Sequence, residues 1–384
     1  MGRKVCAVVT ARPSYSRIRS ALESIADQPE LELQLVVTGS ALLERYGGVV
    51  EQIKLDGFKV NAEVHTVVEG ENLVASAKST GLALMELATA FDNLRPDVVV
   101  TIADRYETLA TAVAASYLNV PVAHMQGGEV TGSIDEKVRH AVTKLSNLHF
   151  VSTEKAAERV IKMGEDPDTV FLTGCPSIDL AVGVRGSKGL NFDPFETYGG
   201  VGSTPKLSHG YLVVLQHPVT TEYIEAGDQV TQTLQAVHEL DIPALWFWPN
   251  VDAGSDGTSK GIRAFRENAQ PTNIHFFKSM SPEHFLSLAY NSRCVVGNSS
   301  VAIRECAYLG VPAVNIGTRQ SGRERGQNVL DVEHRADSIA DAIRSHLENG
   351  PFPSDPIYGD GKAGARVADL LATVPLGTKK QLTY

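Results

Sequence analysis

The sequence contains few cysteines, and this scarcity excludes two classes of protein. The four thiols are Cys6, Cys175, Cys294 and Cys306. Most of them are far apart and lie among apolar or small residues, so we expect reduced, mostly buried cysteines rather than a disulfide scaffold. None has the CxxC or Cys/His spacing of a zinc site, and no metal is expected.

Long apolar runs are also absent from the sequence. No window approaches the roughly 18 consecutive apolar residues of a membrane-spanning helix. The N-terminal run from Val5 to Val9 is too short for the apolar core of a signal peptide and leads directly into Thr10-Ala11-Arg12-Pro13. We therefore expect a cytoplasmic protein with no membrane partner.

The chain has no excess of basic residues. Lysine and arginine total 35 against 45 aspartates and glutamates, giving a formal net charge of −10. This balance argues against a broad surface for binding a phosphate backbone, so nucleic acid is not expected as a partner. A few arginines in a cleft could still bind a small anion.

What the sequence does contain is a regular alternation of strand and helix patterns. At 384 residues the chain exceeds the roughly 250 to 300 residues at which one core stops growing, so two domains are expected. Strands are predicted at 4–9, 33–37, 97–102, 120–124, 149–152 and 170–172, and again at 211–216, 242–248, 274–277, 294–297 and 311–316. Helical patterns separate them, which is typical of parallel, doubly wound sheets.

These patterns predict an α/β fold of two Rossmann-like domains with a cleft between them. The first domain is placed at 1–181 and the second at 210–362. The intervening segment 182–209 is rich in Gly, Ser, Pro and Lys and is interpreted as a connection. The final segment, 363–384, begins with a helix that could pack back on the first domain.

The stretch from Val98 to Phe150 is dense in ionisable groups beside two β-branched runs. Asp104 and Arg105 follow the first run, and Gln126 and Glu129 follow the second. Because loops at the carboxyl ends of parallel strands line the ligand crevice, these side chains are expected to face one pocket. The residues expected to contact a ligand without transferring protons include Gln126, Glu129, Asn250 and Asp252.

Two further residues each have an alternative structural role. Asp135 precedes the predicted helix 136–146 and is either a site carboxylate or a plain helix N-cap. His217 follows the strand 211–216 and precedes Pro218. A neutral imidazole there could act as an acid or base near pH 7, although a core histidine with a satisfied ring is the alternative.

Other residues at strand ends are suited to a nucleotide diphosphate. Ser299 and Ser300 open a predicted helix and either hold a phosphate or simply cap that helix. Glu305 either accepts hydrogen bonds from both ribose hydroxyls or pairs with a surface cation. Arg12 and Arg319 follow strands in different halves and could together bind a diphosphate, or each could form a surface ion pair.

Taken together, these motifs resemble one family of enzymes. The segments that carry the resemblance are ADRYE, HMQGGEVTGSIDEKVRHAVTKLSNLHF, GCPSID, LQHPVTTE, WPNVDAGS, GNSSVAIRE and NIGTRQSGR. In order and spacing they are similar to the hydrolysing UDP-N-acetylglucosamine 2-epimerases of bacterial sialic-acid pathways, from Arg12 to about Gly361. The resemblance implies a glycosyltransferase-B type fold, a UDP-sugar substrate and no cofactor, and a homodimer or homotetramer is expected.

The reaction that the resemblance implies is conversion of UDP-GlcNAc and water into UDP and N-acetylmannosamine. UDP leaves by anti elimination across C1 and C2, and water then adds to the resulting 2-acetamidoglucal. Acid/base and sugar-contacting roles fall on Asp104, Arg105, Asp135 and His217. Diphosphate and nucleotide contacts fall on Arg12, Ser299, Ser300, Glu305 and Arg319.

Two positions depart from the family pattern. Gln126 lies in His-Met-Gln-Gly-Gly-Glu, where relatives often carry Glu, and an amide cannot remove a proton at neutral pH. The run Arg12-Pro13-Ser14-Tyr15 replaces Arg-Ala-Asp-Tyr. Four alternatives therefore stay open: the same reaction on a UDP-2,4-diacetamido-2,4,6-trideoxyhexose, a disfavoured non-hydrolysing epimerase, a glycosyltransferase, and a non-catalytic UDP-sugar sensor.

Overall fold

The computed structural model describes residues 2–44, 48–70, 72–132, 134–249 and 254–383. The chain divides into two compact units. The first comprises Met1–Val130, Ile134–Asp179 and Tyr358–Tyr384, and the second comprises Thr131–Ser133 and Leu180–Ile357. Each unit contains one seven-stranded sheet, which confirms the prediction of two Rossmann-like α/β domains.

The elements are numbered along the chain within the described residues. The strands are β1 (Arg3–Val9), β2 (Leu31–Thr38), β3 (Val60–Val64), β4 (Val98–Ile102), β5 (Val122–Met125), β6 (Leu148–Val151), β7 (Val170–Leu172), β8 (Val201–Gly202), β9 (Leu212–Leu215), β10 (Ala244–Phe247), β11 (Ile274–Phe277), β12 (Cys294–Gly297), β13 (Ala313–Ile316) and β14 (Val329–Val332). The α-helices are α1 (Arg12–Asp27), α2 (Val49–Leu55), α3 (Leu73–Leu94), α4 (Tyr106–Tyr117), α5 (Asp135–Leu145), α6 (Glu154–Lys162), α7 (Pro176–Val184), α8 (Pro194–Tyr198), α9 (Ala226–Glu239), α10 (Ser255–Ala269), α11 (Pro282–Tyr290), α12 (Glu305–Leu309), α13 (Ala336–Asn349) and α14 (Ala363–Thr373).

The sheet of the first unit is parallel and has the order β3-β2-β1-β4-β5-β6-β7. Its strands read as almost continuous apolar runs because helices cover both faces. Val5 and Val9 pack towards α1 and α14, whereas Cys6 and Val8 pack towards α3 and α4. The strand order reverses between β1 and β4, and in such sheets the crevice at that point is where ligands bind.

The C-terminal helix α14 belongs to the first unit and packs closely against α1. A Cβ atom on Gly364 would lie 2.5 Å from the Ser20 carbonyl oxygen, so only glycine allows this approach. The Asp179 carboxylate accepts hydrogen bonds from the backbone N–H groups of Ala363 and Gly364, at 3.0 and 2.7 Å. The aspartate of the GCPSID motif thus holds the first turn of α14.

The sheet of the second unit has the order β14-β13-β12-β9-β10-β11-β8. Its strand order reverses between β9 and β12. Leu212, Val214 and Trp246 pack towards α9, α10 and α13, and Val213 and Leu245 pack towards α11 and α12. Burying one such side chain contributes about 2 kcal/mol.

The structure corrects several expectations about local elements. The segment 182–209 is not only a connection, because it contains α8 and the edge strand β8, which pairs antiparallel with β11. The strands β3 and β14 were not predicted. The single helix that Ser299 and Ser300 were expected to open is instead a short 3-10 turn, Ser300–Ala302, followed by α12. Across the described ranges, no helix combines the length and apolarity that a membrane span requires.

Candidate active site

Several of the predicted polar residues lie at the carboxyl edge of the first sheet. Arg12 opens α1 directly after β1, Asp104 and Arg105 follow β4, and Gln126 follows β5. The three strands are neighbours in the sheet, and β1 and β4 flank the point where the strand order reverses. The sheet therefore brings these side chains to one edge.

Asp104 forms an ion pair with Arg139, a residue of α5 that the sequence prediction did not assign to the site. Asp104 Oδ2 accepts a hydrogen bond from Arg139 Nη2, and both side chains are buried. Arg139 Nη1 donates to the Glu129 carbonyl oxygen and to Glu136 Oε2, each at 2.7 Å. One guanidinium thus connects the loops after β4 and β5 to α5.

The electrostatics of this cluster favour a charged guanidinium. Burial alone would lower the pKa of Arg139, but the nearby charges of Asp104, Glu129 and Glu136 raise it. A cation beside a carboxylate in turn favours the ionised carboxylate. Asp104 is therefore a carboxylate held in a buried ion pair at the sheet edge, and its guanidinium partner is shared with Glu136.

The backbone turns sharply where β4 and β5 end. Ala103 and Gln126 both have positive φ, 67° and 64°, a conformation that is uncommon for residues other than glycine and is concentrated at functional sites. His124 stabilises the first of these turns, because its Nε2 lies 2.9 Å from the Ala103 carbonyl oxygen and its Nδ1 lies 3.2 Å from Thr143 Oγ1. Burial lowers the pKa of His124 to about 3, so the ring is neutral and its role is to hold the backbone before Asp104.

Gln126 is buried and fixed at both ends. Its backbone N–H donates to the Phe150 carbonyl oxygen at 2.9 Å, and its side-chain Nε2 donates to Cys175 Sγ at 3.0 Å. Its Oε1 has no hydrogen-bond partner. Two residues further along, packing requires glycine at position 128, since a Cβ on Gly128 would lie 2.2 Å from the Ala156 carbonyl oxygen.

Arg105 and Arg12 supply positive charge at the same edge. Arg105 Nε donates to Glu107 Oε2 at 3.2 Å, and Glu107 is buried, so the guanidinium is oriented by a carboxylate on the first turn of α4. Arg12 is half-buried, and burial lowers its pKa to about 10, which leaves it charged at neutral pH. The Ser14 hydroxyl accepts hydrogen bonds from the N–H groups of Thr10 and Ala11, at 3.2 and 2.9 Å, and thereby fixes the turn that carries Arg12.

Asp135 is the first residue of α5 rather than its N-cap. The N-cap position belongs to Ile134, and that end of the helix has no side-chain cap hydrogen bond. The alternative of Asp135 as a plain N-cap is therefore wrong. Asp135 and Arg139 are four residues apart on α5 and share one face of the helix, a spacing that could have indicated Arg139 as a site residue.

In the second unit, His217 is held by a side chain from the neighbouring strand. Asn298, which follows β12, accepts the His217 N–H through Oδ1 and donates to the His217 carbonyl oxygen through Nδ2, both at 2.8 Å. Both residues are buried. Because β9 and β12 flank the reversal of strand order in this sheet, His217 lies at the expected ligand edge.

The residues that were expected to bind diphosphate and ribose follow β12 and β13. Ser299 occupies the N-cap position of the 3-10 turn but makes no cap hydrogen bond through its side chain, so capping does not explain it, and Ser300 is buried. Glu305 is buried at the start of α12, and its Oε2 has no hydrogen-bond partner. The described residues contain no ion pair of Glu305, so the alternative of a surface ion pair is wrong.

Arg319 lies on the loop after β13. Its Nη1 donates to the Asn298 carbonyl oxygen at 3.2 Å, and Gln320 Nε2 donates to the same oxygen at 2.8 Å. Asn298 thus connects Arg319 to His217 within the second unit. The predicted contacts Asn250 and Asp252 lie outside the described residues. Within the described part of the chain, no group of three or more His, Cys, Asp or Glu residues is arranged to hold a metal ion.

The fold and the placement of these side chains define a two-domain α/β protein of the glycosyltransferase-B type, with charged and polar groups at the ligand edge of each sheet. The model of the UDP-N-acetylglucosamine 2-epimerase family matches residues 23–372. The chain belongs to that family and is an enzyme of it.

Curated relatives match almost the whole chain. The UDP-N,N'-diacetylbacillosamine 2-epimerase (hydrolyzing) of Legionella pneumophila is 33% identical over 376 residues, which cover 98% of this chain and 97% of that protein. The UDP-N-acetylglucosamine 2-epimerase of Neisseria meningitidis serogroup B is 28% identical, and the match covers 94% and 91% of the two chains.

Solved structures confirm the fold. The Methanocaldococcus jannaschii UDP-GlcNAc 2-epimerase in complex with UDP-GlcNAc and UDP superposes with a TM-score of 0.80 at 18% identity, covering 96% of this chain and 99% of that one. The Neisseria meningitidis enzyme bound to UDP-GlcNAc gives a TM-score of 0.77 at 17% identity, covering 96% and 99%.

Proposed function

We propose that this enzyme is a hydrolysing UDP-GlcNAc 2-epimerase, which converts UDP-GlcNAc and water into UDP and N-acetylmannosamine. The observation that carries the proposal is the buried Asp104–Arg139 ion pair, which holds a carboxylate at the ligand edge of the first sheet. Removal of a weakly acidic proton requires a base that is held in position, and the ion pair fixes the Asp104 carboxylate.

In the first half of the proposed reaction, the C2 proton of the hexose passes to an enzyme base. The C1–O bond breaks with its electron pair going to UDP, and a C1=C2 double bond forms. In the second half, the oxygen of water bonds to C1 as one water proton passes to an enzyme base. An enzyme acid delivers a proton to C2 on the face opposite to the one from which the first proton was removed, which inverts C2. Asp104, Asp135 and His217 are the proposed acid and base groups, and Arg105 balances their charge or contacts the departing phosphate.

The leaving diphosphate carries negative charge that must be stabilised as the C1–O bond breaks. Arg12, Arg319, Ser299 and Ser300 are the proposed contacts, since guanidinium and hydroxyl groups donate hydrogen bonds to phosphate oxygens. The carboxylate of Glu305 is the proposed acceptor of both ribose hydroxyls. The missing partner of its Oε2 supports this assignment, because a buried oxygen without a donor is costly unless a ligand supplies one.

The remaining predicted residues are proposed to contact the sugar. Gln126 and Glu129 are buried at the end of β5, and Asn250 and Asp252 follow β10 in the sequence. Gln126 accepts or donates hydrogen bonds in this scheme and takes no proton.

A second candidate substrate is a UDP-2,4-diacetamido-2,4,6-trideoxyhexose, converted by the same elimination and hydration. The specific support is the likeness to hydrolysing relatives named for diacetylbacillosamine, 33% identical in Legionella pneumophila and 30% in Campylobacter jejuni. The chemistry at C1 and C2 is the same for both sugars, so the candidates differ only in the groups at C4 and C6.

The deciding experiment is incubation with each UDP-sugar in deuterated water, followed by proton NMR. Free N-acetylmannosamine with deuterium at C2, together with UDP, is the expected result for UDP-GlcNAc. Turnover of the diacetamido sugar alone would establish the second candidate. UDP-N-acetylmannosamine as the product would indicate the non-hydrolysing reaction, and tight UDP binding with both substrates unchanged would indicate a sensor.

Matched variants test the proposed base. Asp104→Asn preserves the side-chain shape but removes the charge, and we expect turnover to fall by about 100-fold or more. Glu158→Gln changes an exposed carboxylate on α6 and should leave turnover unchanged. Equal activity of the two variants would refute the role of Asp104.

A homodimer or homotetramer is the proposed assembly. Light scattering after gel filtration measures it directly, because one chain has a mass of 41.3 kDa. A particle of that mass at working concentration would refute the proposal.

A further inference from the structure

Cys175, in the loop before α7, is the side chain that holds the Gln126 amide. Its sulfur accepts a hydrogen bond from Gln126 Nε2 at 3.0 Å and lies 3.0 Å from Ser177 Oγ. Its backbone N–H donates to the Tyr358 carbonyl oxygen at 2.8 Å. The thiol is fully buried, so it is fixed on several sides.

This contact satisfies only one end of the Gln126 amide. The NH2 end is engaged by sulfur, whereas Oε1 is buried and has no hydrogen-bond partner. The backbone of Gln126 is also fixed, because its N–H donates to the Phe150 carbonyl oxygen and its φ is 64°. The free end of the amide is therefore an acceptor, next in sequence to the last residue of β5 at the ligand edge.

We propose that Cys175 is a positioning residue that orients the Gln126 amide so that its carbonyl oxygen accepts a hydrogen bond from the bound hexose. This inference rests on the proposed function. The ligand group is a donor, either a hydroxyl or an acetamido N–H, and position 126 recognises the sugar without transferring a proton. Because a carboxylate oxygen is also an acceptor, glutamate at this position preserves the contact.

Steady-state kinetics with UDP-GlcNAc test this arrangement, with the inhibition constant of UDP as an internal reference. Cys175→Ala and Gln126→Met should each raise KM by about tenfold, the effect of one lost hydrogen bond, and leave UDP inhibition unchanged. Cys175→Ser should restore KM to within about threefold, because a hydroxyl also accepts the amide N–H. The double variant Cys175→Ala/Gln126→Met should lose little more than either single variant, since both act on one contact.

The matched control is Cys6→Ala, which removes a buried thiol from the interior of β1 and should leave KM unchanged. Gln126→Glu tests the direction of the amide, and KM should stay within about threefold of the wild-type value. A large rise in KM for Gln126→Glu would mean that the ligand meets the NH2 end, which overturns the proposal. Wild-type kinetics for Cys175→Ala would overturn it as well.

Parallel titrations with UDP-glucose and the UDP-diacetamido sugar identify the donor. If Gln126→Met weakens the binding of UDP-GlcNAc, UDP-glucose and the UDP-diacetamido sugar alike, the donor is a hydroxyl. If it weakens the binding of the two acetamido sugars only, the donor is an acetamido N–H. Equal affinity of wild type and Gln126→Met for all three would refute the contact. If wild-type enzyme releases no UDP, the proposed function fails, and calorimetric binding of UDP-GlcNAc to the same variants then decides the Cys175 contact separately.

Discussion

Substitution of Glu165 by glutamine tests a cluster of ion pairs that holds the C-terminal segment on the rest of the first unit. Glu165 is 3% exposed, and its Oε1 accepts a hydrogen bond from Lys144 Nζ at 2.5 Å. Its Oε2 accepts from His149 Nε2 at 3.0 Å and from Lys380 Nζ at 2.5 Å. Lys380 also donates to the carbonyl oxygens of Thr143 and Ser146 at the end of α5.

The magnitude follows from the pKa of this carboxyl group. Burial alone would raise the pKa of Glu165, but the hydrogen bonds from His149, Lys144 and Lys380 lower it from 4.5 to about 2. Because each pKa unit corresponds to about 1.4 kcal/mol, the ionised group stabilises the fold by about 3 kcal/mol at pH 7. A lowered folded-state pKa gives stability that is present above pH 4.5 and is lost as the pH falls towards 2, so the contribution is about 2 kcal/mol at pH 3.5.

Hydrogen exchange measured on peptides from β6 and β7 is the suitable assay, because it reports opening of the first unit separately from the second. Glu165→Gln should lower the free energy of opening by about 3 kcal/mol at pH 7, and the difference from wild type should shrink at pH 3.5. Glu158→Gln removes an exposed carboxylate on α6 and should change the free energy of opening by no more than about 0.5 kcal/mol. Equal effects of the two variants at pH 7, or a Glu165→Gln effect that does not depend on pH, would refute the reasoning.

Three further predictions concern the two sheet edges. Arg139→Met removes the guanidinium that pairs with the buried Asp104 carboxylate, and it should lower the free energy of unfolding by about 3 to 5 kcal/mol in urea titrations and turnover by about 100-fold. Near-wild-type values for both would contradict the role of the pair. Asn298→Ala removes both hydrogen bonds to the His217 backbone, and kcat should fall with little change in UDP affinity, whereas unchanged kcat would show that the bonds are dispensable. Glu305→Gln should weaken UDP binding by about tenfold in calorimetry without lowering thermal stability, since the charge is buried without an ion pair; lower stability with normal UDP affinity would indicate a structural role.

The central strands of both sheets could be predicted from the sequence because helices bury both of their faces. Runs such as Val98–Ile102 and Ile274–Phe277 are completely buried, so each appears as a mainly apolar segment with a single polar residue. The unpredicted strands lie at or near sheet edges. Val329–Val332 and Val201–Gly202 are partly or fully exposed, and such short strands give no continuous apolar signal.

Prediction of the site was accurate for residues that follow a central strand and incomplete for their partners. Asp104 and His217 could be identified because each comes directly after a buried β-branched run. Asn298 and Cys175 could not, because their functions depend on contacts with residues 81 and 49 positions away. For Arg139, whose partner Asp104 is 35 positions away, the one local signal was the four-residue spacing from Asp135. Chain spacing alone contains little information about such long-range pairs.

The two units use a common physical device to hold their candidate acid and base groups. In the first, His124 on β5 binds the Ala103 carbonyl oxygen, one residue before Asp104 at the end of β4. In the second, Asn298 after β12 binds both backbone groups of His217 after β9. In each case a buried neutral side chain from the adjacent strand satisfies backbone groups that the sheet no longer pairs. Because the restraint acts on the backbone, it fixes the position of the reactive residue without using the atoms of that residue's side chain.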